Sequence, residues 1–380
     1  MIEIKEVQSK KDIKLFATYP IELYKDCPYY VPSLRADEMT TFDEKKNFNL
    51  AHTDAKGFLA FKDGELVGRI AGFINRKHNE LTDGKFIRFS RLECIDDLEV
   101  FKALLKAVAN FGKENGLEVM HGPWGFNDTD REGLLTYGFD KISTYATNYS
   151  YPYFHENLRK LGFEDESKWI EFNFTIPEEC PERLIKLAEK IKARHGLTDV
   201  SETMSVKQIL SKYGEEFFDT MTLAYGHLDG YVPIVGKERE NMLDQFATIV
   251  NKKYISILVD GEGKVAGFGI VLPSIAEALR KHDGKLFPTG FISLLKAIKK
   301  PKVLEMALIG LRPEYKNTGI NACLMTKIAK NIIDDHIESI ESNPMLEHNL
   351  DIIQQWKLFE SEIIKKRQTF MKKVDEVLAL

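Results

Sequence analysis

Cysteine is scarce and scattered in this 380-residue chain. Cys27, Cys94, Cys180 and Cys323 form no Cys-x-x-Cys pair, which excludes a thiolate knuckle or redox couple and reads as free thiols in a reducing cytoplasm. Long apolar runs are also missing. None approaches the roughly 18–20 residues a helix needs to cross a bilayer, so no membrane partner is expected. The segment Met1-Ile2-Glu3-Ile4-Lys5-Glu6 lacks the basic start and unbroken apolar core of a signal peptide and reads as a first strand. An excess of positive charge is absent: 53 Lys and Arg are interspersed with 58 Asp and Glu, for a net −5. That gives no footprint for nucleic acid. The nine histidines supply no ligand pair at helical spacing, so no metal is expected. His121, beside Gly122-Pro123, reads as a hydrogen-bonded loop residue or as part of a pocket wall. Gly-x-Ser-x-Gly, Walker-type and His-Glu-x-x-His motifs are absent too. Nothing in the residues fixes an oligomeric state.

What is present is an ordinary soluble composition, 43% hydrophobic and 29% charged, over a length that favours two domains. The chain carries its own repeat. Tyr30-Val31-Pro32 recurs as Tyr231-Val232-Pro233, and charged residues follow each copy. A hairpin signal comes next: Asp63-Gly64 joins Gly57–Phe61 to Leu66–Ile74, and Asp260-Gly261-Glu262-Gly263 joins Tyr254–Val259 to Val265–Leu272. Asp-Gly between apolar runs is a strong hairpin cue. Each half continues with a strand, a helix and a short strand. The division falls near Thr175–Pro181, where Pro177 and Pro181 interrupt the strand pattern. The expected architecture is α/β, a mixed, mostly antiparallel sheet flanked by helices in each of two domains, 1–176 and 177–380. Without a flexible linker, the domains are expected to pack together.

In the second half, an apolar strand from Leu304 to Leu311 meets Arg312-Pro313-Glu314-Tyr315-Lys316-Asn317-Thr318-Gly319-Ile320-Asn321-Ala322, and a helical pattern begins there. A helix that starts inside such a turn presents unpaired N–H groups and its positive dipole end to one point, a site for phosphate. The plain alternative is a strand-to-helix turn without a ligand. These residues resemble the signature of the GNAT superfamily of acyl-CoA-dependent N-acyltransferases, with Pro313, Tyr315 and Gly319 in register. Lys316 and Asn321 depart from it. The layout is similar to bacterial proteins with two GNAT-like domains in tandem.

The resemblance implies that acetyl-CoA or another acyl-CoA binds at Leu311, Lys316, Asn317, Thr318, Gly319, Ile320, Asn321 and Ala322. The pantetheine arm would run beside the strand in a gap opened by a bulge, for which Gly310 is the candidate residue. The family's general base is a Glu on this strand. Ala307 occupies its usual register, and Glu305, two residues earlier on the same face, is the candidate base. In the last helix Asn349 matches the family, but Trp356 stands where the acidic tyrosine is expected.

The first half lacks the phosphate turn. Cys94 leads straight to Ile95-Asp96-Asp97-Leu98-Glu99, where Asp96 or Asp97 would cap the helix and Asp96-x-x-Glu99 has the form of a capping box. This half is therefore expected to be a degenerate copy. Nine aromatics fall within the 34 residues His121–Phe154. They suit either a small-molecule pocket or a packed interface. Trp124, Asn127, Arg131, Glu132, Tyr137 and Tyr149 are the candidate substrate contacts. The expected function is transfer of an acyl group to a small amine. The alternative is non-catalytic binding of a metabolite or peptide in the aromatic segment.

Overall fold

A computed structural model of the protein describes residues 1–350, 353 and 359–380. The first half contains β1 (Ile2–Glu6), α1 (Lys10–Leu23), α2 (Arg35–Glu38), β2 (Thr53–Lys62), β3 (Glu65–Asn75), α3 (Arg76–Thr82) and β4 (Phe86–Cys94). It continues with α4 (Leu98–Glu114), β5 (Val119–Gly122), β6 (Leu134–Tyr137), α5 (Pro152–Lys160) and β7 (Glu164–Phe174). The second half opens with α6 (Glu182–His195), β8 (Thr198–Asp199), α7 (Val200–Thr203), α8 (Val206–Tyr225) and α9 (Lys237–Ile249). Then come β9 (Ile255–Val259), β10 (Val265–Pro273), α10 (Ala276–Lys281), α11 (Gly290–Lys299), β11 (Val303–Leu311) and α12 (Ile320–Asp334). The chain closes with β12 (Ser339–Ser342), β13 (Met345–Leu346), β14 (Ser361–Lys373) and α13 (Val374–Leu378).

Local chemistry explains the joints. Asp63 and Gly64 both take positive φ, and Lys62 faces Glu65 across the two-residue turn. Ser9 and Asp12 form a reciprocal capping box at the start of α1. Helix α4 buries Val100, Phe101, Leu104, Leu105 and Val108 against β3, each worth about 1.5–3 kcal/mol. Its approach is close because Gly68 has no Cβ; one there would lie 2.8 Å from Leu104 Cδ1.

Among the described residues all fourteen strands belong to one mixed sheet. Its main path runs β1-β2-β3-β4-β5-β14-β7-β12-β11-β10-β9-β8, with β6 also on β14 and β13 also on β7. Pairing is antiparallel except for β4–β5 and β11–β12. The halves exchange strands at the centre. β14, from the end of the chain, lies between β5 and β7 with Phe370 opposite Gly122. β7 pairs with β12, Ile340 opposite Phe174. Phe370, Val374 and Val377 thereby complete the core under α4. Pro177 and Pro181 fall between β7 and α6. No described helix is long and apolar enough to cross a membrane.

Candidate functional site at the seam between the halves

β11 runs antiparallel to β10 until the register slips. Ile270 faces Leu308 and Val271 faces Met306, so Ala307 is the extra residue. The bulge is therefore at Ala307 and not at the expected Gly310, which pairs with Phe268. On its other side β11 pairs with β12 only from Val303 to Met306. Beyond that point the strands part. Asn343 bridges the start of the gap, bonding Met306 O through its backbone and Ala307 O through its side chain. Further along, the Tyr225 hydroxyl donates to Ile309 O at 2.9 Å and accepts from Ile309 N at 3.0 Å.

The turn that follows fits an anion. Asn317 and Gly319 have φ of 62° and 86°. Among the described residues, the N–H groups of Gly319, Ile320 and Asn321 have no acceptor, and α12 has no side-chain cap. Thr318 donates its hydroxyl to Tyr315 O, and Ala322 N–H bonds Gly319 O at 2.9 Å. Leu311 packs inward against α6 and α12, while Lys316 is exposed. Gly319 meets α6 from the side: a Cβ there would lie 2.9 Å from Ile191 Cδ1. The basic end of α6 brings the His195 ring to the edge of Tyr315.

Glu305 is 5% exposed, four residues before Ile309 on β11. It accepts hydrogen bonds from Ser274 Oγ at 2.6 Å and from Tyr145 N–H, a first-half residue, at 3.2 Å. Burial pushes its carboxyl up to about 7, with Glu341 adding to the rise and Ser274, the Tyr145 N–H and Lys365 opposing it. The neighbouring seam is an ion chain. Lys365 Nζ reaches Glu341 at 2.8 Å and Glu171 at 3.3 Å, and Arg367 pairs with the other Glu171 oxygen. Glu171, Lys365 and Arg367 are almost completely buried. Two cations already match two anions, so Glu305 is a third carboxylate in that surrounding. Burial remains the main cause of its raised carboxyl, and that balance leaves it no cation of its own to offset it.

The first half repeats the bulge but closes it. Arg69 faces Glu93 and Ala71 faces Ser90, and the extra residue region contains Arg91 at φ 49°. Arg91 lies over the Phe73 and Phe126 rings and pairs with Glu38 and Asp130. The next helix, α4, is capped. Asp97, and not an Asp96–Glu99 box, accepts from Glu99 N–H and Val100 N–H and also binds Lys62.

The six candidate substrate contacts do not line one pocket. Trp124 is buried between Trp169 and Arg88 and donates to Glu166 at 2.9 Å. Tyr149 belongs to a tyrosine core with Tyr24, Tyr29 and Tyr151, its hydroxyl on Phe139 O. Tyr137 is on the surface at 55% exposure. Glu132 has a buried oxygen without a hydrogen bond, and burial raises its carboxyl well above the usual range. Asn127 and Arg131 do meet, on a cavity of about 330 Å³ between the first half and α9. Trp356 lies outside the described residues; Asn349 follows β13 with its N–H on Leu346 O. Sequence reasoning missed Tyr225, Ser274 and the seam ions. The only signal for the ions was charge in β7, β12 and β14, and which charges meet depends on the strand exchange.

No family model matches the chain. It is 26% identical over 379 residues to Protein YghO of Escherichia coli strain K12, covering 96% of this chain and 94% of the other. It is 22% identical over 320 residues to the bacterial ceramide synthase of Caulobacter vibrioides, covering 82% and 81%. Solved structures resemble it in fold. A tandem GNAT protein from the clavulanic acid biosynthesis pathway superposes with a TM-score of 0.56 at 11% identity, covering 98% of this chain and 99% of that one. A GCN5-related N-acetyltransferase from Sphaerobacter thermophilus gives 0.52 at 9% identity, covering 98% and 96%. The chain has the tandem GNAT fold.

Proposed function

We propose that the protein is an N-acyltransferase whose second half takes an acyl-CoA and passes the acyl group to an amine. The observation that carries this reading is the parting of β11 from β12 at Ala307, directly ahead of the uncapped start of α12. The free N–H groups of Gly319, Ile320 and Asn321 would hold the diphosphate of coenzyme A, with Thr318 and Ala322 shaping the turn and Lys316 adding charge. The arm would lie along the gap, where its amides can replace the Tyr225 hydroxyl on Ile309. Glu305 would first take a proton from the ammonium, and the freed amine nitrogen would attack the thioester carbonyl. The new C–N bond would replace the C–S bond as coenzyme A leaves as a thiolate, which takes up the second proton lost from nitrogen. A carboxyl near 7 suits that first step. The fold shared with a tandem GNAT protein and with a GCN5-related N-acetyltransferase supports the reaction class. The name of the Caulobacter relative makes a long-chain amino alcohol the first acceptor to test.

The test is thermal shift with coenzyme A and acyl-CoAs of increasing chain length, followed by release of free thiol in the presence of amines. Binding should raise the melting temperature of the wild type. Gly319→Val, which forces a side chain onto Ile191 at a positive φ, should lose that rise while still melting cooperatively. Equal shifts in both proteins would remove this turn from the reading.

A further inference from the structure

The two halves differ in one further joint. Between β3 and β4 the chain makes a single helix, α3, whereas between β10 and β11 it makes a hairpin of two, α10 and α11. The hairpin is firmly held from beneath. Leu294 and Ile298 of α11 pack with Leu279 of α10 and with Val31 of the first half. His282 Nε2 and Ser293 Oγ share a hydrogen bond of 2.9 Å between the two helices. Asn251 donates to Ile298 O at 3.3 Å, and Gly284 O accepts from Arg35 N–H at 2.9 Å.

Its outer side is apolar and basic at once. Phe287, in the turn between the helices, is 78% exposed and Ile292 is 58% exposed, with Phe291 and Leu295 open as well. The Phe287 and Phe291 rings stack, with centroids 6.1 Å apart. Positions 291, 292, 295, 296 and 299 fall on one side of α11, so Lys296 and Lys299 share that side with three apolar residues. Lys281, Lys285 and Lys300 are exposed on the same hairpin. None of these five lysines has an ion pair among the described residues. Between β10 and β11 seven Lys and Arg outnumber two carboxylates, Glu277 and Asp283, in a chain whose net charge is −5. The positive charge is thus concentrated where the apolar side chains emerge.

We infer that the α10–α11 hairpin docks the protein on an anionic lipid bilayer, with Phe287, Phe291, Ile292 and Leu295 entering the headgroup boundary and the lysines on lipid phosphates. Contiguous exposed apolar side chains mark contact surfaces, and lysines flanking them suit anionic headgroups. Charge selects this occupant over a second copy of the chain, because a symmetric pair would set five lysines against five. A helix that lies on a surface needs no spanning length, so the lack of long apolar runs does not bear on it. The hairpin's inner side meets Tyr145, whose N–H bonds Glu305, yet the docking needs neither acyl-CoA nor amine.

The test is flotation of the full chain with lipid vesicles and no thioester present. Vesicles of phosphatidylcholine with about 30% phosphatidylglycerol should carry the wild type at low salt. Binding should be about tenfold weaker on pure phosphatidylcholine, or on the anionic vesicles in about 0.5 M salt. Two double variants, Phe287→Ser with Ile292→Ser and Lys296→Glu with Lys299→Glu, should each lose about tenfold in binding. Both should melt like the wild type, because these side chains are exposed. Four results overturn the assignment: no binding to anionic vesicles, equal binding to neutral ones, unchanged binding in either double variant, or a vesicle-free dimer that the serine variant abolishes. The Gly319→Val protein should float as the wild type does, which separates docking from the acyl-CoA reading.

Discussion

Replacing Glu305 with Gln should make the protein more stable relative to wild type as the pH rises. In the unfolded chain this carboxyl ionises near the ordinary 4.5, and in the fold near 7. Between those values the folded state keeps a proton that the unfolded state has released. Raising the pH therefore favours unfolding. The contribution is fully present below 4.5 and is lost as pH rises through 7. Ionising a carboxyl held at about 7 instead of 4.5 costs the folded state about 3 kcal/mol. Glutamine does not titrate, and its amide oxygen can still accept from Ser274 and Tyr145 N–H. Urea unfolding of both proteins at pH 5 and pH 8 measures the effect. The variant should gain about 2–3 kcal/mol on the wild type between the two. A gain below about 0.5 kcal/mol, or a loss, would show that Glu305 is ionised and solvated in the fold. It would also remove the reason to regard it as a base.

Other substitutions probe the parts around it. Asp97→Ala removes the α4 cap and the Lys62 pair, and should cost about 1–2 kcal/mol in chemical denaturation without affecting any coenzyme A shift. Lys365→Met leaves buried Glu171 to Arg367 alone and half-buried Glu341 without its cation. It should cost about 3–5 kcal/mol, with Arg367 too few to replace it. A loss under about 1 kcal/mol would mean that the seam is hydrated. Tyr225→Phe strips Ile309 of the partner for its N–H and C=O, and should lower the melting temperature of the free protein. The same change removes a competitor for those groups, so the shift produced by acyl-CoA should grow; a smaller shift would make Tyr225 a ligand contact.

How far the sequence could be read follows from the range of each determinant. The two hairpins were legible because Asp63-Gly64 and Asp260–Gly263 set their own turn geometry. Glu305 was legible as a carboxylate on this strand, but its burial was not, because Leu304 beside it is buried too and alternation breaks at the Ala307 bulge. The bulge was not. Gly310 offered freedom, yet the slip occurs at Ala307 because Val271 pairs with Met306, a matter of how two strands meet. The aromatic segment stayed open between a pocket and a packed interface for a similar reason. Tyr149 and Trp124 look identical to pocket residues in sequence, but Phe139 O and Glu166 satisfy their polar ends and turn them into core. The strand exchange is the extreme case. The Phe370–Gly122 pairing joins positions 248 apart, and no local pattern announces it.

The two bulges show how one fold becomes two different halves. Each interrupts the strand that leads into a central helix, β4 into α4 and β11 into α12. At β11 the extra residue is Ala307, whose methyl group cannot fill the space between parting strands. At β4 the corresponding region contains Arg91, in a left-handed conformation that costs a non-glycine residue about 1 kcal/mol or more. That strain persists because the guanidinium lies over Phe73 and Phe126 and joins Glu38 to Asp130. The side chain is engaged by those rings and carboxylates, and Asp97 occupies the helix terminus beyond it. The bulge region and the helix terminus of the first half are thus engaged by its own residues. The same features stay open in the second half, where Tyr145 of the first half supplies an N–H to Glu305. The first half thus touches the second at this strand through one backbone N–H.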